Sequence, residues 1–181
     1  MKAKCKIVPL SEVLLGDMGR ANEPFWVFGR IVPQLRGGVW SYTEEIFPEP
    51  YEKTYPADEN DWRAYISGED KAAFLAYMDG KCAGQIVLRR DWNRYAFIED
   101  IAVAASARRQ GVGTALMERA KEWAAQGGMQ GLALETQDNN LAACRFYAKC
   151  GFAVGAVNTM LYRNFERPYC DETAVFWYMR F

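Results

Sequence analysis

Two features of this sequence have residue types and spacing suited to catalysis or ligand binding. They are a pair of adjacent acidic residues and a loop that contains two glycines. The acids are Glu99 and Asp100, on a predicted strand over 95–103, and the loop is 108–114, at the start of a predicted helix. The chain has no histidine, which excludes imidazole bases, Ser-His-Asp triads and histidine-ligated zinc. Any acid or base must therefore be Asp, Glu, Tyr, Lys or Cys.

The loop over 108–114, Arg-Arg-Gln-Gly-Val-Gly-Thr, has the features of an anion site. Its two glycines let the backbone turn freely, and the first-turn N–H groups of a helix have no intrahelical acceptor. The helix dipole and the charges of Arg108 and Arg109 add positive potential, which favours a pyrophosphate. The spacing is neither a P-loop nor a dinucleotide fingerprint, because Leu116 stands where the fingerprint needs its third glycine.

Hydrophobic periodicity predicts the elements that must position these residues. Runs of aromatic and β-branched residues between turns predict a hairpin over 25–34 and 39–47, and strands over 72–78, 82–90, 95–103, 132–136, 152–157 and 174–181. Helical spacing of apolar residues predicts helices over 113–125 and 141–150, the second capped by Asn139 or Asn140. This order predicts an α/β fold of the α+β type, with a mixed, mostly antiparallel sheet and helices on its faces.

Length and composition predict one soluble domain over 1–181, with an N-terminal part over 1–70 and a core over 71–181. The 22 basic and 23 acidic side chains give no global positive field, so we expect neither a nucleic-acid nor a membrane partner. The five cysteines form no C-x-x-C pair, which predicts reduced thiols and no metal site. The chain starts without the apolar run of a signal peptide, and we expect a cytoplasmic protein.

The tract over 41–70 holds nine acidic residues against two basic ones. It is interpreted either as a solvated loop face or as an electrostatic funnel for a cation. Alternation along the strand places Trp40, Tyr42 and Glu44 on one face, where aromatic rings and a carboxylate would suit a cationic ligand.

Two motifs carry a resemblance to a known family. The first is [Q/R]-x-x-G-x-G, formed by Arg108, Gly111 and Gly113. The second, N-x-x-A-x-x-F-Y-x-x-x-G-F, runs over 140–152. Together with the element order over 72–181, they resemble the GNAT superfamily of N-acetyltransferases.

A narrower resemblance covers nearly the whole chain. The phrases Asp-Trp-Asn-Arg-Tyr at 91–95, Ile-Glu-Asp-Ile-Ala-Val at 98–103 and Leu-Glu-Thr-Gln-Asp-Asn-Asn at 134–140 are similar to those of streptothricin acetyltransferases. The likeness extends to Glu-Pro-Phe at 23–25 in the N-terminal part.

The resemblance implies the GNAT fold, whose sheet splays between strands 4 and 5, and acetyl-CoA as co-substrate in that gap, with no metal. Pantetheine would pair with main chain near Ile101, Ala102 and Val103. The implied pyrophosphate site is Arg109, Gln110, Gly111, Val112, Gly113 and Thr114. Arg108 would either contact phosphate or lie in solvent. Asn140, beside Ala143, would cap its helix, bind CoA or do both.

The implied reaction is direct attack of an amine on the thioester. Glu99 or Asp100 would take the proton of the amine; strand alternation predicts that they point to opposite faces, and alignment from Gly111 favours Glu99. Tyr147 would protonate the CoA thiolate. Glu135 and Asp138 are secondary candidates for holding a cationic substrate.

The function implied is acetylation of an amine in the β-lysine moiety of streptothricin, which would give antibiotic resistance. The acidic tract equally suits a polyamine, an aminoglycoside or a protein lysine. A non-catalytic acetyl-CoA-binding module and a nucleotide-binding module are the alternatives from other classes. The sequence leaves open whether the protein is a monomer or a homodimer.

Overall fold

The computed structural model describes residues 5–56 and 60–181, so Asp58 and Glu59 of the acidic tract lie outside the described residues. The elements in chain order are β1 (Lys6–Pro9), β2 (Phe25–Arg36), β3 (Val39–Lys53), β4 (Lys71–Met78), β5 (Lys81–Arg90), β6 (Ala96–Val103), α1 (Val112–Gln126), β7 (Gly131–Gln137), α2 (Leu141–Cys150), β8 (Ala153–Asn158) and β9 (Ala174–Arg180). Short 3₁₀ helices cover Glu12–Asp17, Trp62–Tyr65, Ala105–Ala107 and Tyr169–Asp171.

The chain divides into two compact units, each made of separate segments of sequence, and the predicted division at residue 70 stays a prediction. The first unit comprises the described residues up to Pro24, Thr54–Leu132 and Phe181. The second comprises Phe25–Lys53 and Ala133–Arg180.

The first unit contains an antiparallel meander in the order β1-β4-β5-β6, in which β1 is a strand that the sequence did not predict. Helix α1 packs against one face of it, and a Cβ on Gly84 of β5 would lie 3.1 Å from Val112 and Leu116. Because successive strand residues point to opposite faces, the odd-numbered residues of β5 lie away from α1. Val87 on that side joins a buried cluster with Leu10, Tyr65, Ala73 and Leu75.

Strand β6 is irregular at the two predicted acids. Val87 of β5 pairs with Asp100, and the next residue, Leu88, pairs with Ile98. Glu99 is therefore the extra residue of a β-bulge. A bulge breaks the strict alternation of side chains on which the prediction of opposite faces depended.

The second unit holds β7, β9 and β8 in that order, together with the two-stranded β2–β3 hairpin. Both hairpin strands are longer than predicted, since Phe25 pairs with Lys53 at the far end. Strand β3 continues through Pro48 and Pro50, which fits a two-stranded sheet because proline lacks a donor and is confined to edges. Part of the predicted acidic loop is thus strand.

Gly29 lets the hairpin approach the start of α2. A Cβ at this position would lie 2.5 Å from the Glu45 carbonyl oxygen and 2.9 Å from Leu141 Cδ2. Gly29 forms a parallel bridge with Asn140, and Ile31 N–H donates to the carbonyl of Asp138 at 2.9 Å. Any larger residue at position 29 would force these backbones apart.

Helix α2 has the predicted bounds, and its N-cap is Asn140, whose side chain accepts from Ala143 N–H at 3.2 Å. Gly151 ends it with φ at 97°, where glycine is favoured. All five cysteines are free thiols. Within 5–56 and 60–181, the helices are too short or too polar to cross a bilayer.

Candidate active site

The N-terminus of α1 lies in the loop for which the sequence predicts an anion site, and that site stays a prediction. Gly111 is the N-cap with φ at 88°, and Arg109 also has a positive φ of 65°. Because a glycine cap has no side chain, the first-turn N–H groups receive no side-chain acceptor there. The helix dipole makes this end favourable for phosphate oxygens, so the segment fits the pyrophosphate of acetyl-CoA.

Arg108 is hydrogen-bonded to backbone carbonyls and does not simply lie in solvent, whereas its contact with phosphate stays a prediction. Its Nε donates to the carbonyl of Val103 at 3.0 Å and its Nη2 to the carbonyl of Pro24 at 3.3 Å. The side chain therefore ties the end of β6 to the segment before the hairpin. Gln110 is exposed, and its side chain donates to the Ser106 carbonyl at 2.8 Å.

Both oxygens of the Glu99 carboxylate are engaged. The hydroxyl of Tyr65 donates to Oε2 at 2.7 Å, and Arg89 Nε lies 3.3 Å from Oε1. The Glu99 side chain keeps 28% of its surface exposed. It is thus held by two other elements while remaining open to solvent.

Asp100 has a different partner, the amide of Gln85. Gln85 is fully buried, donates to Asp100 Oδ2 at 2.5 Å and accepts from Gly19 N–H at 2.7 Å. Neither Gln85 nor Tyr65 was singled out from the sequence. Gln85 could have been identified from the sequence, because a glutamine within a largely apolar strand is unusual.

The prediction that Glu99 and Asp100 point to opposite faces is wrong. Arg89 lies opposite Phe97 and its guanidinium stacks on that ring at 4.6 Å, so Phe97 and Glu99 share the face of Arg89. Val87, two residues from Arg89 on the same face, lies opposite Asp100. The bulge therefore brings both carboxylates to the face opposite α1.

The residues predicted to receive pantetheine lie on the straight end of β6. Ile101, Ala102 and Val103 pair with residues 86, 85 and 84 of β5, respectively. Their assignment to pantetheine stays a prediction.

In the second unit, Tyr147 lies on α2, is 7% exposed and belongs to an aromatic cluster. Its ring centroid is 6.0 Å from that of Phe152 and 6.3 Å from that of Trp177. The cluster fixes the ring of Tyr147 through packing. The predicted cap role of Asn140 is confirmed, whereas its contact with CoA stays a prediction.

Glu135 and Asp138 are largely buried, and burial is the main reason why both carboxyl pKa values are raised. Tyr162 O–H donates to Glu135 at 2.5 Å, and Thr173 N–H donates to Asp138 at 2.9 Å. Raised pKa values mean that the folded state binds these protons more tightly than the unfolded chain. Protonation as the pH falls through the raised values therefore favours folding.

Two of the residues predicted to receive a cation already have partners within the second unit. Glu44 accepts two hydrogen bonds from Arg145, at 2.9 and 2.5 Å, which lowers its pKa. The Tyr42 ring packs edge-on against Trp177, with centroids 5.7 Å apart. Trp40 on the same strand is half-buried. These contacts weaken the expectation that this face binds substrate.

A buried ion pair in the second unit was missed from the sequence. Lys53 Nζ lies 2.5 Å from Glu172 Oε1, with side chains only 5% and 4% exposed. Asn139 Nδ2 donates to the same oxygen at 3.0 Å. The described residues contain no cluster of three or more potential metal ligands.

Comparisons with known proteins agree on one family. The sequence profile of the acetyltransferase (GNAT) family matches residues 38–152. Streptothricin acetyltransferase A of Bacillus subtilis (strain 168) is 51% identical over 175 residues, 97% of this chain and 99% of the relative. A streptothricin acetyltransferase of Escherichia coli is 42% identical over 130 residues, 71% of this chain and 70% of the relative.

Solved structures give the same result. A crystal structure described as a streptothricin acetyltransferase from Bacillus anthracis str. Ames, in complex with acetyl coenzyme A, has a TM-score of 0.91 and 37% identity. It covers 98% of this chain and 100% of that one. A nourseothricin acetyltransferase structure has a TM-score of 0.81 and 28% identity, covering 97% and 98% of the two chains. The predicted α/β fold class is confirmed, and the splay between strands 4 and 5 stays a prediction.

Proposed function

Because this chain belongs to the acetyltransferase (GNAT) family, we propose that it transfers the acetyl group of acetyl-CoA to an amine of streptothricin. The observation that carries the proposal is the 51% identity with streptothricin acetyltransferase A over 97% of this chain. This identity extends over both compact units and therefore includes segments outside the motifs that all family members share. Such segments determine which acceptor amine is bound. Acetylation removes one positive charge from the drug, and resistance follows from that loss.

The chemistry begins with the proton of the acceptor. An alkyl ammonium has a pKa of about 10.4 and no free electron pair, so it must lose a proton before it attacks. Glu99 accepts that proton directly or through one water, and its hydrogen bond with Tyr65 and its ion pair with Arg89 keep the carboxylate in one orientation. The amine nitrogen then forms a bond to the thioester carbon.

Collapse of the tetrahedral intermediate breaks the C–S bond and releases the CoA thiolate, while the nitrogen gives its second proton to water, from which the Tyr147 phenolate formed in the next step regains its proton. Tyr147 donates its phenolic proton to that sulfur, because a phenol O–H is a proton donor that can act as a general acid. A backbone N–H near Val103 polarises the carbonyl, and most of the rate comes from holding amine and thioester together. Glu135 and Asp138 are the remaining candidates for holding a further cationic group of the acceptor.

The direct test is thiol release from acetyl-CoA by the purified protein with streptothricin, beside spermidine, an aminoglycoside and a lysine peptide. We expect rapid release with streptothricin alone. Release with another amine would support the acetyltransferase activity but contradict streptothricin as the acceptor. Calorimetric binding of acetyl-CoA without transfer to any of the four would instead support a binding module.

The pyrophosphate site is tested by two substitutions that differ only in charge. Gly111→Asn tolerates the positive φ, whereas Gly111→Asp adds a carboxylate of the same size at the start of α1. Repulsion of the pyrophosphate is expected to raise the KM for acetyl-CoA about tenfold in Gly111→Asp relative to Gly111→Asn. Equal KM values in steady-state assays would place the pyrophosphate elsewhere.

Tyr147→Phe is expected to lower kcat by about tenfold to a hundredfold, because the thiolate then leaves without a proton donor. Dissociation constants for CoA, measured by calorimetry, should stay within about twofold of wild type. Phe152→Leu alters the same aromatic cluster without touching the hydroxyl and serves as the packing control. A similar kcat loss in both variants would assign Tyr147 to packing alone.

A further inference from the structure

Tyr65 is held rigidly at the end of the 3₁₀ helix Trp62–Tyr65. It is 6% exposed and packs in the buried cluster of the first unit. The ring of Trp62 lies 5.8 Å from it, and Lys71 Nζ lies 4.9 Å from its centroid. A ring enclosed in this way has one orientation, and its hydroxyl therefore has a fixed position.

That hydroxyl is directed at the proposed base. It donates to Glu99 Oε2 at 2.7 Å, a typical distance for a hydrogen bond from a hydroxyl to a carboxylate. The other oxygen faces Arg89 at the longer distance of 3.3 Å, and Arg89 also binds Asp91 at 2.7 Å. Tyr65 is the more buried of the two partners and the better placed to fix the carboxylate.

Glu99 needs external support because of its place in the strand. As the extra residue of the bulge it lacks a paired residue on β5, and the regular ladder does not define its orientation. A phenol supplies a donor without adding a charge, so it orients the carboxylate and leaves it anionic toward an ammonium.

We propose that Tyr65 is a positioning residue for the acetyl-transfer reaction, acting by fixing the Glu99 carboxylate at the bulge of β6. The inference rests on the proposed function, in which Glu99 takes the proton of the amine. Tyr65 itself touches neither the amine nor the thioester in this assignment. It links the segment between β3 and β4 to the chemistry on β6.

The test compares Tyr65→Phe with Tyr77→Phe. Tyr77 packs against the same cluster, but its hydroxyl donates to Asp17. Both variants lose one hydroxyl bound to a carboxylate, so Tyr77→Phe controls for a general effect on folding. We expect Tyr65→Phe to lower kcat with streptothricin about tenfold at unchanged KM for acetyl-CoA, and Tyr77→Phe to change kcat less than twofold.

A double-mutant cycle separates positioning from stability. In the Glu99→Gln background, Tyr65→Phe should lower kcat by less than twofold, because no carboxylate remains to be positioned. Equal losses in both backgrounds, or equal effects of Tyr65→Phe and Tyr77→Phe, would overturn the inference while leaving Glu99 as the base. Full activity of Glu99→Gln would overturn the role of Glu99 and, with it, that of Tyr65.

Discussion

Glu99→Gln is expected to lower kcat by about 10²- to 10⁴-fold, the range that a positioned general base contributes. The amide has the size of the carboxylate but cannot accept the proton of the substrate ammonium. Because the change lies away from the α1 N-terminus, the KM for acetyl-CoA should stay within about twofold. Steady-state thiol release with streptothricin at saturating acetyl-CoA measures kcat, and varying acetyl-CoA gives its KM.

Asp100→Asn is the matched control, since the bulge brings both carboxylates to one face of the sheet. Asp100 accepts a hydrogen bond from the buried Gln85, and an asparagine oxygen can accept the same bond. We therefore expect less than a tenfold loss of kcat in Asp100→Asn. The reverse order of effects would assign the proton transfer to Asp100.

The features that sequence predicted well are local ones. The start of α1 depends on Gly111 and the residues beside it, and α2 depends on Asn140 as its cap and Gly151 at its end. Each of these signals depends on residues close together in the sequence and not on tertiary contacts. The conformation of the loop at the start of α1 is therefore predictable from the loop residues alone, and the anion site there stays a prediction.

The orientation of the two acids depends on pairing between strands, which no local pattern encodes. The residue pattern Ile-Glu-Asp-Ile at 98–101 is compatible both with a regular strand and with a bulge at Glu99. Only the pairing of Val87 with Asp100 and of Leu88 with Ile98 makes Glu99 the extra residue. The contact with Tyr65, 34 residues earlier, was hidden for the same reason.

Long-range charge pairing was also invisible in the sequence. Lys53 stands in a run of acids and was interpreted with them as part of a solvated or funnel-like surface. Its partner Glu172 lies 119 residues away. Composition gives the net charge of a segment but does not show which of its charged side chains is buried. Burial determines how much an ion pair contributes to the free energy of folding.

Lys53→Met is expected to lower the free energy of unfolding by about 3–5 kcal/mol, because it leaves the buried Glu172 without its cation. For a domain of this size, that loss corresponds to a fall in Tm of about 10 °C. Methionine matches the length of the lysine stem, so the packing change is small. Thermal and urea unfolding at neutral pH measure the effect.

The double substitution Lys53→Met with Glu172→Leu distinguishes charge from packing. Replacing both members of a buried pair by apolar residues removes the uncompensated charge, so the double variant should regain most of the stability lost by Lys53→Met. Asn139 retains Tyr51 as a hydrogen-bond partner at 3.3 Å in that variant. If the double variant were as unstable as the single one, the loss of stability would come from packing around Lys53 rather than from the buried charge. The ion pair would then contribute little to the stability of the second unit.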